Sequence, residues 1–450
     1  MASPFHDFLH DSDCRSIPEP MLALGRRWLL DLVGVAAGGS RTDMSRLIRD
    51  HAADQFGAGG QGAPMLFDGR MTSPAGAALA GGMTIDALDA HDGHKLTKGH
   101  VGCGVFPGLL SVCAARGALD DRAFLAGLVV GYEIGTRAGI ALHRTAAEYH
   151  TSGAWVAVAV AALGARVLGL DARRTREAIG IGEYHGPRSQ MMRCVDHPTM
   201  VKDGSGWGAM AGVSAAYLAR DGFTGAPAVT VEGADVADLW GDLGTNWRIA
   251  EQYFKLYPVC RWAQPAAQAV LDLRNRHGVA SVDVERIEIA TFHQSLRLAT
   301  RAPQTTEEAQ YSTAFPAAVA MVRGRVAPDD VMETAFGDPE IARLAAGMTI
   351  VEDDDYNAAF PARRFSRVTL FLRDGRRLSS GTTEALGDPE APVPMAIVER
   401  KFRENAEPVL GAARTIGIER EVAGLGDGRG LERLIELVSA PGGVASPVAA

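Results

Sequence analysis

The densest set of groups able to move protons lies between residues 89 and 100. It holds Asp89, His91, Asp92, His94, Lys95, Thr97, Lys98 and His100, so three of the twelve histidines fall within ten residues. Imidazoles change charge near pH 7 and neighbouring carboxylates can be tuned toward that range, so this composition suits acid–base catalysis. Two other readings stand beside it. A charged loop between core helices can be a solvated turn. His91, His94 and His100 with Asp89 or Asp92 could also ligate zinc or another divalent ion, although their spacing matches no specific metal motif.

A second set spans residues 185–208 and holds His185, Arg188, Arg193, Asp196, His197, Lys202 and Asp203. Gly204-Ser205-Gly206 leads straight into a helical pattern, and free N–H groups at such a helix start, beside Lys202, would suit a substrate carboxylate. Small residues demanded by close helix packing are the competing explanation for the glycines. Neither GxxxxGK[ST] nor a GxGxxG opening a βαβ unit occurs. A third segment, YFKLYPVCRWAQP at 253–265, carries Lys255, Tyr257, Cys260, Arg261 and Gln264. No cysteine-hydrolase signature surrounds Cys260, so a buried thiol is expected there. No GxSxG elbow is present.

These segments must be positioned by helices over most of the chain. Apolar spacing predicts helices over 20–37, ending at Gly38-Gly39, and over 74–90, 121–142, 154–169 and 207–220, with Asp171 capping another. The 121–142 and 154–169 runs are apolar almost all round, the pattern of central bundle helices. Near residue 280 the pattern changes. VERIEIATF (284–292) alternates like a strand, and FSRVTLFLRDGRRLSS (365–380) reads as a hairpin turning at Asp374-Gly375. Helical patterns return over 312–323 and from 396, while SAPGGVASPVAA reads as a frayed tail. The predicted architecture is mostly α: an all-helical domain of residues 1–270 with 396–440, and a smaller inserted α/β (α+β) lid domain of 271–395.

Composition bounds the rest. The chain has 450 residues, 47% of them hydrophobic and 22% charged, with a net charge of −9. That balance suits a globular protein of two or three domains, excludes disorder and disfavours nonspecific nucleic-acid binding. Five cysteines without a CxxC pair argue against a disulfide framework or a cysteine-rich zinc site. The first residues lack the pattern of a signal peptide, and charges interrupt the long apolar runs, so no membrane span and a cytoplasmic location are expected.

Several segments together resemble the MmgE/PrpD family, whose members include 2-methylcitrate dehydratase, cis-aconitate decarboxylase and iminodisuccinate epimerase. They are RRWLLDLVGVAAGG, ALDAHDGHKLTKGH, LVVGYEIGTRAGIALH, YHTSGAWVAVAVAALGARVLGLD, VKDGSGWGAMAGVSAAYLARDGFTGAP, YFKLYPVCRWAQPA, EEAQYSTAFPAAVAMVRG and ERKFRENAEPVL. The resemblance implies a helical domain with an α/β lid, a site between them, a homodimer, no organic cofactor and usually no metal. It places the family's site carboxylates on Asp89 and Asp92, its His on His100, its Lys on Lys202 and a further His on His150. It also shows departures. The family's Thr falls on Gly93, its HPS on His-Val-Gly, the His after its Lys on Asp203-Gly204-Ser205, and a second His on Gln264. His91, His94, Asp196 and His197 are candidate replacements. The expected chemistry is cofactor-free proton transfer on a small di- or tricarboxylic acid, with dehydration favoured over decarboxylation or epimerisation. His100 and Lys202 are the leading acid/base pair and Asp89 orients a neighbour or acts as base. Arg193 and Arg261 are candidates for carboxylate binding. A metal-dependent enzyme and a non-catalytic carboxylate-binding protein are the alternatives.

Overall fold

The computed structural model describes residues 4–442; of the expected frayed tail, residues 443–450 lie outside that range. The chain is 58% helix and 9% strand, in agreement with the mostly α expectation. It opens with α1 (Pro4–Asp11), α2 (Glu19–Gly39) and α3 (Asp43–Gln55), then a short hairpin of β1 (Ala63–Pro64) and β2 (Met71–Thr72). After it come α4 (Pro74–Asp86), β3 (Gly93–His94), α5 (Gly102–Arg116), α6 (Asp121–Thr145) and α7 (Gly153–Leu168). The bundle continues with α8 (Ala172–His185), α9 (Met191–Asp196), α10 (Ser205–Arg220) and α11 (Val229–Glu232).

The alanine- and glycine-rich composition of these helices sets how closely they pack. A Cβ on Gly82 of α4 would lie 2.5 Å from the Gly206 Cα of α10, and one on Gly212 of α10 would lie 2.7 Å from the Ala157 carbonyl of α7. Such contacts bring backbones together and bury α7 and the middle of α6 on all sides. By length and composition α6 could cross a membrane, yet its apolar stretch is wholly buried inside the protein. Asp171 caps α8 as its sequence position predicts, accepting from the Arg174 N–H at 2.8 Å.

Two helix ends differ from expectation. Gly38-Gly39 does not stop α2, which continues through Gly39. Here glycine serves close approach, because a Cβ on Gly39 would meet the Thr84 carbonyl at 2.2 Å. α4 ends at Asp86 rather than near 90, which leaves residues 87–101 as a connection that is irregular apart from the two residues of β3.

β4 (Gln252–Tyr253) pairs with β3, and α12 (Gln264–His277) leads into the sheet-bearing part. There β5 (Val284–Thr291) is followed by α13 (His293–Leu296), α14 (Thr306–Gln310), α15 (Ala314–Arg323) and α16 (Pro339–Ala346). β6 (Thr349–Glu352), α17 (Asp354–Ala359), β7 (Phe365–Leu372), β8 (Arg377–Ser379) and β9 (Thr383–Glu384) complete it. The sheet order is β6-β5-β7-β8 with β9 also on β7; β5 and β6 are parallel and the other pairs antiparallel. The expected strand and hairpin both form, and Ile287, Ile289, Val368 and Leu370 are fully buried between β5 and β7 and the covering helices. Gly375 at φ 88° supplies the hairpin turn.

The chain ends in α18 (Met395–Leu410), α19 (Ala412–Ala423) and α20 (Glu432–Ser439). α18 returns to the first helices. A Cβ on Gly34 of α2 would lie 2.9 Å from the Phe402 ring, and buried Lys401 reaches back to Asp31 at 2.7 Å and to the Ala90 carbonyl at 2.6 Å.

Candidate active site

The connection after α4, the loop before α10, the turn after β4 and the end of α14 meet in one buried cluster. Asp89, His91, Asp92, His100, Lys202, Asp203, Lys255 and Gln310 are all buried there. Lys202 has φ 45°, a left-handed conformation that a side-chain-bearing residue adopts only when its surroundings hold it, and Gly204 beside it has φ 62°. This sharp turn sends the lysine ammonium inward: it donates to Gln310 Oε1 at 2.6 Å and lies 4.8 Å from the centre of the Tyr311 ring.

Gln310 joins two parts of the cluster. Its Oε1 also accepts from the Asp89 N–H at 2.8 Å, and its amide donates to the Ala87 carbonyl at 3.0 Å. The Asp89 carboxylate is ion-paired with Lys255, whose ammonium also bonds the Asp89 carbonyl at 3.3 Å. His100 Nδ1 bonds the Asp92 carbonyl, which can only accept, so Nδ1 carries the proton and Nε2 is left as a bare lone pair. That Nε2 faces Asp89 Oδ1 at 3.7 Å and Asp203 Oδ2 at 3.6 Å. The backbone of His100 is fixed too: its N–H donates to Ser152 Oγ at 2.9 Å, Ser152 donates to Asp203 at 2.7 Å, and the Trp155 indole donates to the His100 carbonyl at 2.9 Å.

The electrostatics push neighbouring groups in opposite directions. Burial drives His100 well below the usual imidazole range, and His91 and Lys255 lower it further, so it stands neutral at pH 7. Burial raises Asp203 to about 7, with nearby Asp86 and Asp89 adding to the rise. Asp92 is likewise raised by burial, to about 6, although its Oδ1 accepts from the Tyr132 hydroxyl at 3.0 Å. For Asp89 burial acts the same way, but Lys255 and Lys202 outweigh it and hold the carboxyl well below its ordinary value. The result is a neutral imidazole with a free lone pair, an ionised carboxylate and a carboxyl pushed toward its neutral form within one buried cluster.

Among the described residues, one group could hold a metal ion: Asp89, His91 and His100, whose donor atoms lie within 4.8 Å of one another. Both His91 nitrogens lack a hydrogen-bond partner, and its ring lies edge-on to His100 at 4.3 Å between centres. Lys255 occupies the Asp89 carboxylate, so a cation there would compete with an ammonium. His94 is not in this group, since its Nε2 bonds Glu251 at 2.8 Å.

Other residues singled out in the sequence fall elsewhere. Arg193 and His197 are exposed, and so is Asp196, which pairs with Arg297. His150 is half-buried and bonded locally to His143 and Glu148. Arg261 and Gln264 are buried but engaged. Arg261 holds Asp388 at 2.6 Å and the carbonyls of Phe254 and Leu386, while Gln264 caps the carbonyls of Tyr257 and Val259. The expected anion site at the start of α10 is filled by protein, because the Ser205 N–H bonds Asp86 at 3.3 Å and the α4 backbone packs onto Gly206. Close packing therefore accounts for Gly206, whereas Gly204 has open space around it and serves the left-handed turn. Asp86, Ser152, Gln310 and Tyr311 received no role from sequence, and neither did Lys255, although it was visible in YFKLYP.

One family model, the MmgE/PrpD N-terminal domain, matches residues 4–240, and a second, the MmgE/PrpD C-terminal domain, matches residues 257–424. The chain belongs to the MmgE/PrpD family. Among curated relatives, a cis-aconitate decarboxylase-like protein (oryM) of Aspergillus oryzae is 23% identical, with 94% of each chain covered. A mitochondrial 2-methylcitrate dehydratase of Yarrowia lipolytica is 25% identical over 66% of this chain and 60% of its own. The geometry also explains one departure within the MmgE/PrpD pattern. Gly93 pairs with Tyr253, and a Cβ there would meet the Tyr253 hydroxyl at 2.4 Å, so a Thr does not fit at 93 while Tyr253 is present.

Proposed function

We propose that this chain is a lyase that acts on a small di- or tricarboxylic acid by proton transfer between its own side chains, with dehydration as the preferred reaction. The observation that carries the reading is His100 Nε2, a bare lone pair on a neutral ring, set between Asp89 and Asp203 in the cluster that holds Lys202. In this mechanism His100 removes the proton from the carbon next to a carboxylate. Lys202 and Lys255 stabilise the negative charge that develops, and burial makes that stabilisation strong. Asp203, raised to about 7, passes a proton within the cluster, and Lys202 protonates the departing hydroxyl as water. For Lys202 to reach the departing hydroxyl, Gln310 must release it, since its amide oxygen accepts from the ammonium at 2.6 Å.

A second reading uses the same groups. The relative whose match extends over nearly the whole chain is named as decarboxylase-like. Loss of CO2 would leave a carbanion that Lys202 or His100 protonates. Proton NMR in D2O separates the readings. Chelator-treated protein is incubated with hydroxy and unsaturated tricarboxylates, including citrate, 2-methylcitrate and cis-aconitate. Deuterium at the α-carbon with alkene formation supports dehydration, and bicarbonate release supports decarboxylation. His100→Ala and Lys202→Ala should each lower turnover by about 10²-fold or more. Folded variants that turn over at the wild-type rate would overturn the assignment.

A further inference from the structure

Among the described residues, one buried arginine outside the acid–base cluster has two unpartnered donors. Arg364, just before β7, is buried, and its Nε and Nη1 have no hydrogen-bond partner. Its one protein hydrogen bond is a long one, from Nη2 to the Lys95 carbonyl at 3.4 Å. No carboxylate of the described residues lies within ion-pair distance of it. Asp388, the nearby acid, is committed to Arg261 at 2.6 Å and to Lys95 at 3.3 Å. A buried guanidinium with unpaired donors is strongly unfavourable unless an anion completes it.

The surroundings say where that anion would sit. The Arg364 guanidinium lies 5.3 Å from the centre of the Tyr253 ring and that of Arg261 lies 4.7 Å from it, where the Arg261 Nε is a third unpartnered N–H. Tyr253 pairs in turn with Gly93, on the connection that carries Asp89 and His100. The donors therefore come from two places, Arg364 from the sheet-bearing part and Arg261 from the turn between β4 and α12, and both lie against Tyr253, which pairs with the loop that carries the acid–base groups. Planar guanidinium forks match the two oxygens of a carboxylate.

We propose that Arg364, with the Arg261 Nε, binds a substrate carboxylate remote from the reacting carbon, so that the site selects tricarboxylates over acids with fewer carboxylates. This rests on the proposed function for its substrate class, but binding tests it without turnover. The probe is tricarballylate, an unreactive tricarboxylate, compared with glutarate and butyrate by calorimetry and thermal unfolding. Wild-type protein should bind tricarballylate more tightly than glutarate, and butyrate most weakly. Arg364→Met should weaken tricarballylate binding by about 30-fold or more and erase its preference over glutarate. Arg364→Lys, which keeps the charge and loses the fork, should fall between.

The same variant reports on folding with the opposite sign. Removing an unpaired buried charge should leave the melting temperature of ligand-free Arg364→Met equal to or above that of wild type, whereas loss of a structural arginine would lower it. Equal tricarballylate affinity in Arg364→Met and wild type would overturn the proposal. So would a wild type that fails to distinguish tricarballylate from glutarate. Tight, Arg364-dependent tricarballylate binding by a protein that turns over none of the hydroxy and unsaturated tricarboxylates in D2O would instead retain the proposal and remove the lyase reading.

Discussion

Replacing Lys255 with Met tests whether the Asp89–Lys255 pair is a buried ion pair whose partners depend on each other. Both side chains are almost fully buried, and the ammonium bonds both the carboxylate and the carbonyl of Asp89. Removing one partner of such a pair typically costs about 3–5 kcal/mol, because the remaining charge stays buried and uncompensated. Lys202 still lowers Asp89 in the variant, which argues for the lower end, about 3 kcal/mol. Urea unfolding followed by tryptophan fluorescence at pH 7 measures it.

The pH dependence supplies the sign. In the wild type the folded Asp89 pKa lies below its unfolded value of about 3.9. Its stabilisation is therefore complete above about pH 4 and is lost as pH falls through the depressed folded value. In Lys255→Met burial pushes Asp89 upward instead, so the gap between the two proteins is full at pH 7 and narrows in acid. The double variant Asp89→Asn, Lys255→Met leaves no buried charge at the pair and should recover most of the loss. A Lys255→Met protein within about 1 kcal/mol of wild type at pH 7, or a double variant no more stable than the single one, would refute the reasoning.

Three further outcomes follow from the same geometry. Asp203 is raised to about 7, so its ionisation weakens the folded protein progressively as pH rises from about 4 through 7; Asp203→Asn should exceed wild type in melting temperature by a margin that widens by about 2 °C or more between pH 5 and pH 8. Gly93→Thr should destabilise by roughly 2 kcal/mol or more by overpacking against Tyr253, and adding Tyr253→Val should relieve it, as read from thermal unfolding of the single and double variants. The Cys260 thiol is buried and burial pushes it up to about 12, so iodoacetamide at pH 8 should leave it unlabelled in folded protein and label it in urea, with mass spectrometry of the peptide as the readout.

Much of the helical part was legible because its signals are local. Apolar runs over 121–142 and 154–169, the cap at Asp171 and the alternation in VTLFL each report on their own element, and each element forms. Glycine was harder to read. Gly38-Gly39 resembles a stop signal, but its role is set by the Thr84 carbonyl, which only the packed structure brings near. The site divides in the same way. Asp89, His100 and Lys202 stand in polar segments that attract notice, and the fold does bring them together. Gln310 and Ser152 look like ordinary polar residues and gain importance only through contacts that cross 221 and 52 positions of sequence. Arg193 and His197 stay outside the buried cluster, because a charged residue near its segments in sequence can lie exposed on the six-residue α9 or just beyond it.

The bond from Lys401 to the Ala90 carbonyl has a bearing on how the protein is made. The segment that carries Asp89 and Asp92 leaves the ribosome 311 residues before the Lys401 that holds its Ala90 carbonyl. At about 5–20 residues per second that interval is on the order of 15–60 s. Through it the nascent bundle carries carboxylates destined for burial but lacks α18 and the ammonium that ties their segment down. An early, fully compact intermediate is therefore disfavoured by its own charges, and final collapse of the centre waits for the last helices to be synthesised.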